Sequence, residues 1–476
     1  MLPSWFSLEL AYELTDWACR LIALAVVPLR RRPAASAGWL LLIMFLPIPG
    51  MIAFAIIGSP RFPAARVRRF QLLTPYFDKI SQRLTAHAPP AAPSPFAQGP
   101  FAPVFALAQH LGHFPPVSGN AVRLIDDYDG MLEQLAADIR SARHYVLILV
   151  YIFADDPAGR LIAAALRDAA ARGVDCRVMI DPVGSHRWRR AVGTLLDEAG
   201  VETRWSLPFH LIRGRTRRDM RNHRKLFVID GRIGYAGSQN IVDKSFRPGV
   251  VNRELVARVE GPLVAEMEAV IRGDWFMETG TLPADDATPA PHAGETLAQL
   301  LPSGAAYPLE GFESLLVWQI HSAVERVVLV TPYFIPDDGL VGAMRTAVAR
   351  GVRVDVVISA VVDQRLVNLA QCSYYDELLG CGIGIHAYRD ALLHAKNVSI
   401  DGRLAIVGSS NVDLRSFELN EEASLLLYGG PAVDTLIALQ AGYIENSMHL
   451  DLVGWRQRPS PRRFAENLAR LISPLL

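Results

Sequence analysis

His223-Arg224-Lys225, then four residues to Asp230, then six residues to Gly237-Ser238-Gln239-Asn240: this stretch recurs as His394-Ala395-Lys396, four residues to Asp401, and six residues to Gly408-Ser409-Ser410-Asn411. With 12 histidines and only four lysines in 476 residues, His-x-Lys should arise roughly 0.1 times by chance. It arises twice, with the same residues downstream at the same spacing. In His-x-Lys on a strand both side chains point to one face, so imidazole and ammonium enter one pocket. Histidine serves as nucleophile or proton carrier near neutral pH. Lysine supplies a compact positive charge for a phosphoryl oxygen, to which a hydroxyl and an Asn amide can also donate. After Asp230 and Asp401 comes Gly-Arg in both copies, a tight turn, and then an apolar strand (IGYA, LAIV) ending at Gly-Ser. Each copy is therefore a hairpin that carries His, Lys, Ser and Asn to one end of a sheet.

The repetition extends outward from these hairpins. Upstream of the first lies the buried-strand run Tyr145–Tyr151 (YVLILVY), then Ala154-Asp155-Asp156, a helical pattern, Ala171-Arg172-Gly173-Val174 and a strand ending at Ile180. Upstream of the second lies Val327–Tyr333 (VVLVTPY), then Pro336-Asp337-Asp338, a helical pattern, Ala349-Arg350-Gly351-Val352 and a strand ending at Ile358. Alternating strands and helices predict an α/β sheet in each half. A period of this length belongs to a duplicated domain and not to a solenoid. The stretch Leu282–Gly294 (LPADDATPAPHAG) separates the halves. The organisation predicted is two lobes, 118–285 and 293–476, related by a pseudo-twofold axis with a site at their joint. A Pro/Ala-rich linker precedes them over 61–117, with a tether-like run from His87 to Pro116, and a membrane-anchoring segment occupies 1–60.

That segment is read from Ala35–Gly58, 24 residues without a charge, which is enough to cross a hydrocarbon core of about 30 Å. Glu9, Glu13 and Asp16 upstream argue against a cleaved signal peptide. Pro47, Pro49 and Gly50 at its centre predict a kinked span or a re-entrant hairpin, and Leu8–Val27 reads as a poor first span or an interfacial helix. Arginines flank the good span on both sides, so the positive-inside count sets no orientation.

Composition excludes several classes. The chain is 51% hydrophobic, which is incompatible with intrinsic disorder. Its 48 basic residues balance 48 acidic ones, unlike a dedicated nucleic-acid binder. Cys19, Cys176, Cys372 and Cys381 are scattered and suggest neither a disulfide framework nor a zinc site.

The doubled pattern resembles the signature of the phospholipase D superfamily, over roughly residues 118–476. The resemblance implies two α/β/α sandwich lobes with one shared active site, no metal or other cofactor, and two-step transfer through a phosphohistidine. Within the superfamily the chain looks most like bacterial cardiolipin synthases. Three stretches carry this: the N-terminal hydrophobic segment ending in Gly58 and a basic run, Ser373-Tyr374-Tyr375-Asp376-Glu377-Leu378-Leu379, and the C-terminal Leu468-Ala469-Arg470-Leu471-Ile472-Ser473-Pro474-Leu475-Leu476.

It implies that His223, Lys225, Asp230, His394, Lys396 and Asp401 form the catalytic signature, with Ser238, Asn240, Ser409 and Asn411 on the substrate phosphate. Read by themselves, Asp230 and Asp401 are hairpin-turn residues and stay out of the chemical steps. A carboxylate after each motif is also implied, to hold the histidine's second ring nitrogen. Glu422 fits the second copy, and Glu254 is the candidate in the first, where Trp-Arg-Asp is more usual. The arginine-rich approach to the first motif (Arg213, Arg215, Arg217, Arg218, Arg221, Arg224) suits an anionic headgroup or a solvated face. Residues 462–472 read as an amphipathic helix that rests on a membrane or packs on the lobe.

The activity implied is union of two phosphatidylglycerols into cardiolipin, with loss of glycerol, at the bacterial inner membrane. Its partners would be membrane phospholipids and not nucleic acid. Hydrolysis, transfer to another alcohol, a nuclease and a non-catalytic scaffold are the alternatives.

Overall fold

A computed structural model describes residues 8–30, 33–58, 62–87, 102–208, 220–283 and 288–472. The first lobe contributes strands β1 (Val117–Ile125), β2 (Tyr145–Val150), β3 (Asp175–Ile180), β4 (Glu202–Trp205), β5 (Leu226–Ile229), β6 (Ile233–Gly237), β7 (Asn252–Arg253) and β8 (Val256–Glu260). The second contributes β9 (Thr296–Ser303), β10 (Arg326–Val330), β11 (Phe334–Ile335), β12 (Arg353–Ser359), β13 (Gly384–Tyr388), β14 (Leu392–Leu393), β15 (Asn397–Ile400), β16 (Leu404–Gly408), β17 (Val412–Asp413), β18 (Glu422–Tyr428) and β19 (Ser447–Leu450).

Fifteen of these form one continuous sheet, in the order β19-β13-β12-β10-β15-β16-β18-β9-β1-β8-β6-β5-β2-β3-β4. Outward from the central β9–β1 pair, the order β9-β18-β16-β15-β10-β12-β13 mirrors β1-β8-β6-β5-β2-β3-β4, so the duplication is structural as well as sequential.

The strand runs are apolar because both faces are covered. Val146, Ile148 and Val150 of β2 pack under the helices Tyr128–Ser141 and Pro157–Ala171. The alternate Leu147 and Leu149 enter a core shared by both lobes, with Leu226, Val228, Ala405, Val407 and Leu425. The helices Val264–Thr279 and Pro431–Glu445 close that core with Met267, Leu436 and Tyr443. Because the two lobes bury one apolar interior in common, the joint between them is rigidly defined.

Two segments differ from the sequence expectation. Across 61–117 the chain reads as a linker, yet Ala64–Gln71, Thr74–His87 and Ala102–Gly112 are helices. Phe77 and Leu84 enter the shared core, and Val104 and Leu111 enter the outer core of the second lobe. Proline content masked amphipathic helices there, and the most proline-rich part, 88–101, lies outside the described residues.

The single span over Ala35–Gly58 is not formed. No helix among the described residues is long and apolar enough to cross a membrane. The stretch breaks at Leu46 into Pro33–Phe45 (13 residues) and Pro47–Ile57 (11 residues). At 1.5 Å per residue, neither exceeds about 20 Å. Pro47 opens the second helix, and Gly50 lies against Ile43, where an added Cβ would meet the Ile43 Cα at 3.0 Å. These two helices pack with Leu8–Arg30 around Ala23, Val27, Trp39, Ile43 and Phe54, while Leu21, Leu24, Phe45 and Ile52 stay exposed.

At the hairpin turns, Asp230 and Asp401 adopt φ of +52° and +51°, a conformation that only small polar residues and glycine adopt readily. The Asp230 carboxylate accepts the N–H groups of Arg143, His144 and Tyr145 at 2.8–2.9 Å. The Asp401 carboxylate accepts those of Val324, Glu325 and Arg326 at 2.8–2.9 Å. Each aspartate thus fastens its hairpin to the start of the neighbouring antiparallel strand, and the catalytic place that the motif gives them is corrected to a structural one. Replacing Asp401 with Ala should cost about 1–2 kcal/mol, because three part-buried backbone donors lose their acceptor. Asp401→Asn, which tolerates positive φ and keeps one acceptor oxygen, should cost less, as the shift of a denaturant midpoint will report.

Candidate active site

His223 and Lys225 sit in the short extended run before β5, and His394 and Lys396 in the equivalent run before β15. Neither run is paired within its own lobe at this point; each borrows backbone from the other. The His223 N–H donates to the Glu421 carbonyl at 2.8 Å, and the Glu421 N–H donates to the Arg221 carbonyl at 2.8 Å. In the mirror position β14 pairs in parallel with β7, and the His394 N–H donates to the Arg253 carbonyl at 2.8 Å.

This exchange decides which carboxylate meets which imidazole. His223 Nδ1 lies 3.0 Å from both oxygens of Glu422, and His394 Nδ1 lies 2.7 Å from Glu254 Oε1. Sequence reading placed each carboxylate after its own motif; the structure crosses them, so each histidine is held by the other lobe. The Ser409 hydroxyl donates to Glu422 Oε2 at 2.5 Å, and Ser238 bonds the Leu255 backbone beside Glu254. Both serines are buried and do not line the cavity. Their expected place on the substrate phosphate is therefore corrected: Ser409 steadies a carboxylate, and Ser238 steadies the strand that carries one.

Asn240 and Asn411 do line the cavity, which has a volume of about 560 Å³. Asn240 Oδ1 accepts the Ile152 N–H at 3.0 Å, so its amide hydrogens are the groups presented inward. Lys225 Nζ donates to the His223 carbonyl at 2.6 Å. Lys396 Nζ donates to the His394 carbonyl at 2.6 Å and also lies 3.0 Å from both ring nitrogens of His394.

Burial sets the charge states. It lowers both histidines to about 4, an effect that their carboxylates only partly oppose and that Lys225 and Lys396 reinforce. It also lowers Lys225 to about 7 and Lys396 to about 8. Burial alone would raise Glu254 and Glu422, but the facing histidines and lysines hold both below the ordinary carboxylate value. The resting site therefore has neutral imidazoles, each with an Nδ1 proton held by an anionic carboxylate, which leaves the Nε2 lone pair for chemistry.

Several residues escaped sequence reading. The Tyr151 ring lies 4.9 Å from that of His223, and the Tyr333 ring 6.3 Å from that of His394. A tyrosine closing each repeated strand run, one position apart in the repeat, was the available signal. Of the arginine run, Arg221 lines the cavity, while 213–218 lies outside the described residues. Arg224 turns away from it: fully buried, it bonds Asp274 at 2.6 and 2.7 Å, Glu421 at 2.8 Å and the Glu422 and Ser303 carbonyls. Arg224 is thus a pin between lobes and not a headgroup contact. Among the described residues, no group of three or more His, Cys, Asp or Glu is placed to hold a metal ion.

The arrangement of sheet and helices matches the crystal structure of a phosphatidylserine synthase from Haemophilus influenzae Rd KW20, with a TM-score of 0.56 at 15% identity, over 78% of this chain and all of that one. That likeness defines the fold class, a duplicated α/β architecture. Residues 135–275 and 316–439 match the family model described as cardiolipin synthase, PLD-like domain. Cardiolipin synthase A of Shigella boydii serotype 4 is 34% identical over 98% of this chain and 99% of its own. Cardiolipin synthase A of Pectobacterium carotovorum is 33% identical over 96% of each. The chain belongs to the phospholipase D-like cardiolipin synthase family and is an enzyme of the phosphatidyltransferase class.

The charge assignment has a direct check. At pH 5.5 a solvated histidine is roughly nine-tenths protonated, whereas His223 and His394 should still be neutral. Carbon-13 imidazole spectra, assigned with His223→Gln and His394→Gln, will show this; titration of both rings near 6.5 would mean that the site is wet.

Proposed function

We propose that this chain transfers a phosphatidyl group between two phosphatidylglycerols, giving cardiolipin and glycerol through a phosphohistidine. The observation that carries the reading is the crossed arrangement itself: two neutral imidazoles, each oriented by a buried carboxylate of the other lobe, in one cavity with two Asn amides, and each with a buried lysine directly behind it.

In the first step His223 Nε2 attacks the phosphorus of the donor lipid. His394, which takes up a proton at Nε2 from solvent as the anionic lipid binds beside it, delivers that proton to the glycerol oxygen as the bond from phosphorus to that oxygen breaks. In the second step a hydroxyl of the acceptor lipid gives its proton to His394 Nε2 and attacks phosphorus, and the bond from phosphorus to nitrogen breaks. Lys225, Lys396, Asn240 and Asn411 hold the non-bridging oxygens while charge moves. Glu254 stabilises the imidazolium form of His394 as it gives and takes the proton. The assignment of nucleophile to the first lobe follows the superfamily resemblance.

The N-terminal three-helix unit, with Leu21, Leu24, Phe45 and Ile52 on its surface, and the C-terminal helix Ser460–Ile472, with Phe464, Leu468 and Leu471 exposed, would seat the enzyme on the inner membrane where its lipids lie.

Purified enzyme given phosphatidylglycerol alone should form cardiolipin and glycerol in equal amounts. Phosphatidic acid without cardiolipin would overturn the transferase reading, and a requirement for added phosphatidylethanolamine would reassign the substrates. His223→Ala and His394→Ala should each lower turnover at least about a thousandfold, with membrane association retained. Glu422→Gln should slow formation of the covalent intermediate, because the amide keeps an acceptor oxygen for His223 Nδ1 but loses the negative charge that balances the positive charge His223 gains as it bonds to phosphorus. Unaltered intermediate formation in that variant would refute the crossed pairing as a working part of the site.

A further inference from the structure

The cavity's two ends differ chemically although a duplication built them. At the His223 end Arg221 faces buried Asp181 at 3.4 Å, and a second guanidinium, Arg415, lines the cavity on the segment that leads to Asn420. In the repeat, Asp181 and Arg221 correspond to Ser359 and Leu392, so the second lobe keeps neither charge. At the His394 end Tyr333 instead donates its hydroxyl to Asp363 at 2.7 Å and accepts from Gln364 Nε2 at 2.8 Å. Arg247 reaches over from the first lobe and closes on the same Asp363 carboxylate. A second acid, Asp413, also lines the cavity and acts electrostatically on Tyr333 and Lys396.

Beyond the lysines, the His223 end therefore carries two guanidiniums against one carboxylate, and the His394 end one guanidinium matched by the Asp363 carboxylate, with Asp413, which also faces Arg415 and Glu422, between them. An anionic phosphodiester is drawn to the first more than to the second. A neutral polyol suits the second, where the Gln364 carboxamide and the Arg247 guanidinium line the cavity with Tyr333 and His394 and offer N–H donors. Water fills such a site poorly, because it cannot satisfy separated donors and acceptors at once.

We propose that Tyr333, Gln364 and the Arg247–Asp363 pair form the binding site for the acceptor headgroup, selecting a neutral vicinal diol over water and over monohydroxyl alcohols. This rests on the phosphatidyl-transfer reading and names the part of the site that separates a synthase from a hydrolase. The diol terminus sits against Tyr333 and Gln364 with one hydroxyl toward His394 Nε2, and the acceptor lipid's own phosphate stays at the cavity mouth.

The test uses the full chain in mixed micelles, with phosphatidylglycerol as donor and equal concentrations of 1,2-propanediol and 1-propanol as soluble acceptors. The wild type should form the propanediol ester about tenfold in excess of the propanol ester, the discrimination that one or two hydrogen bonds supply. Gln364→Leu, at an exposed position where the fold should tolerate it, and Tyr333→Phe should bring the ratio within about threefold and raise phosphatidic acid relative to cardiolipin. Absence of diol preference in the wild type would overturn the subsite while leaving phosphatidyl transfer intact. An unchanged ratio in both variants, even with a lower overall rate, would overturn it too, since a structural role slows all acceptors alike. Phosphatidic acid as the sole wild-type product would instead mean that the transfer reading itself has failed.

Discussion

The arrangement of the site depends on one exchange of main-chain hydrogen bonds: the run before each catalytic-motif strand pairs with the chain that leads into the other lobe's carboxylate. The Asn222–Glu421 bridge and the β7–β14 pair are its two halves. Side-chain flexibility alone could not hold Glu422 at His223, because a bond between lobes is only as exact as the lobes' relative placement. Backbone pairing one residue away removes that freedom, and Arg224, bonded to Asp274 and Glu421 with two carbonyls, locks the same seam. The apolar core common to both lobes then makes separation costly. A single lobe would carry a histidine with no carboxylate and a carboxylate with no histidine, so the duplicated pair is the smallest unit that has a complete site.

Much of this was legible in the chain itself. The doubled His-x-Lys hairpins, the repeated strand runs and the turn role of the two aspartates follow from period-2 patterning and turn chemistry, which are local properties. The crossing of Glu254 and Glu422 is not local. In sequence each carboxylate follows its own motif, and only the sheet order reveals that its nearest imidazole belongs to the other copy. The serines misled for a related reason: a hydroxyl near the histidines in sequence suggests a phosphate ligand, yet a buried carboxylate facing a neutral imidazole needs another donor, and Ser409 fills that need. At the N-terminus an uncharged run was long enough to span, while Pro47, Pro49 and Gly50 already pointed to the break at its centre; what hydropathy did not show is that the two halves are separate short helices. The linker reading failed in the opposite sense, since proline counts hid helices whose apolar faces are buried.

The buried charges bear on how the proposed site would receive an anion. Behind the two cavity-lining histidines lie two buried lysines and two buried carboxylates, and with both imidazoles neutral the ammonium and carboxylate charges balance. Burial holds Lys225 and Lys396 near 7 and 8, well below the ordinary lysine value, so their charge responds to what binds beside them. In the proposed reaction an entering phosphodiester would favour protonated lysine and raise the imidazoles toward the acid form that the first step needs. The same reasoning gives the lysines their meaning in a chain that otherwise uses arginine almost throughout. A guanidinium stays charged even when buried and would hold the anion equally before and after the transition state. An ammonium whose charge depends on its neighbours responds as the reaction proceeds, and two of the chain's four lysines stand at the two positions where that response matters.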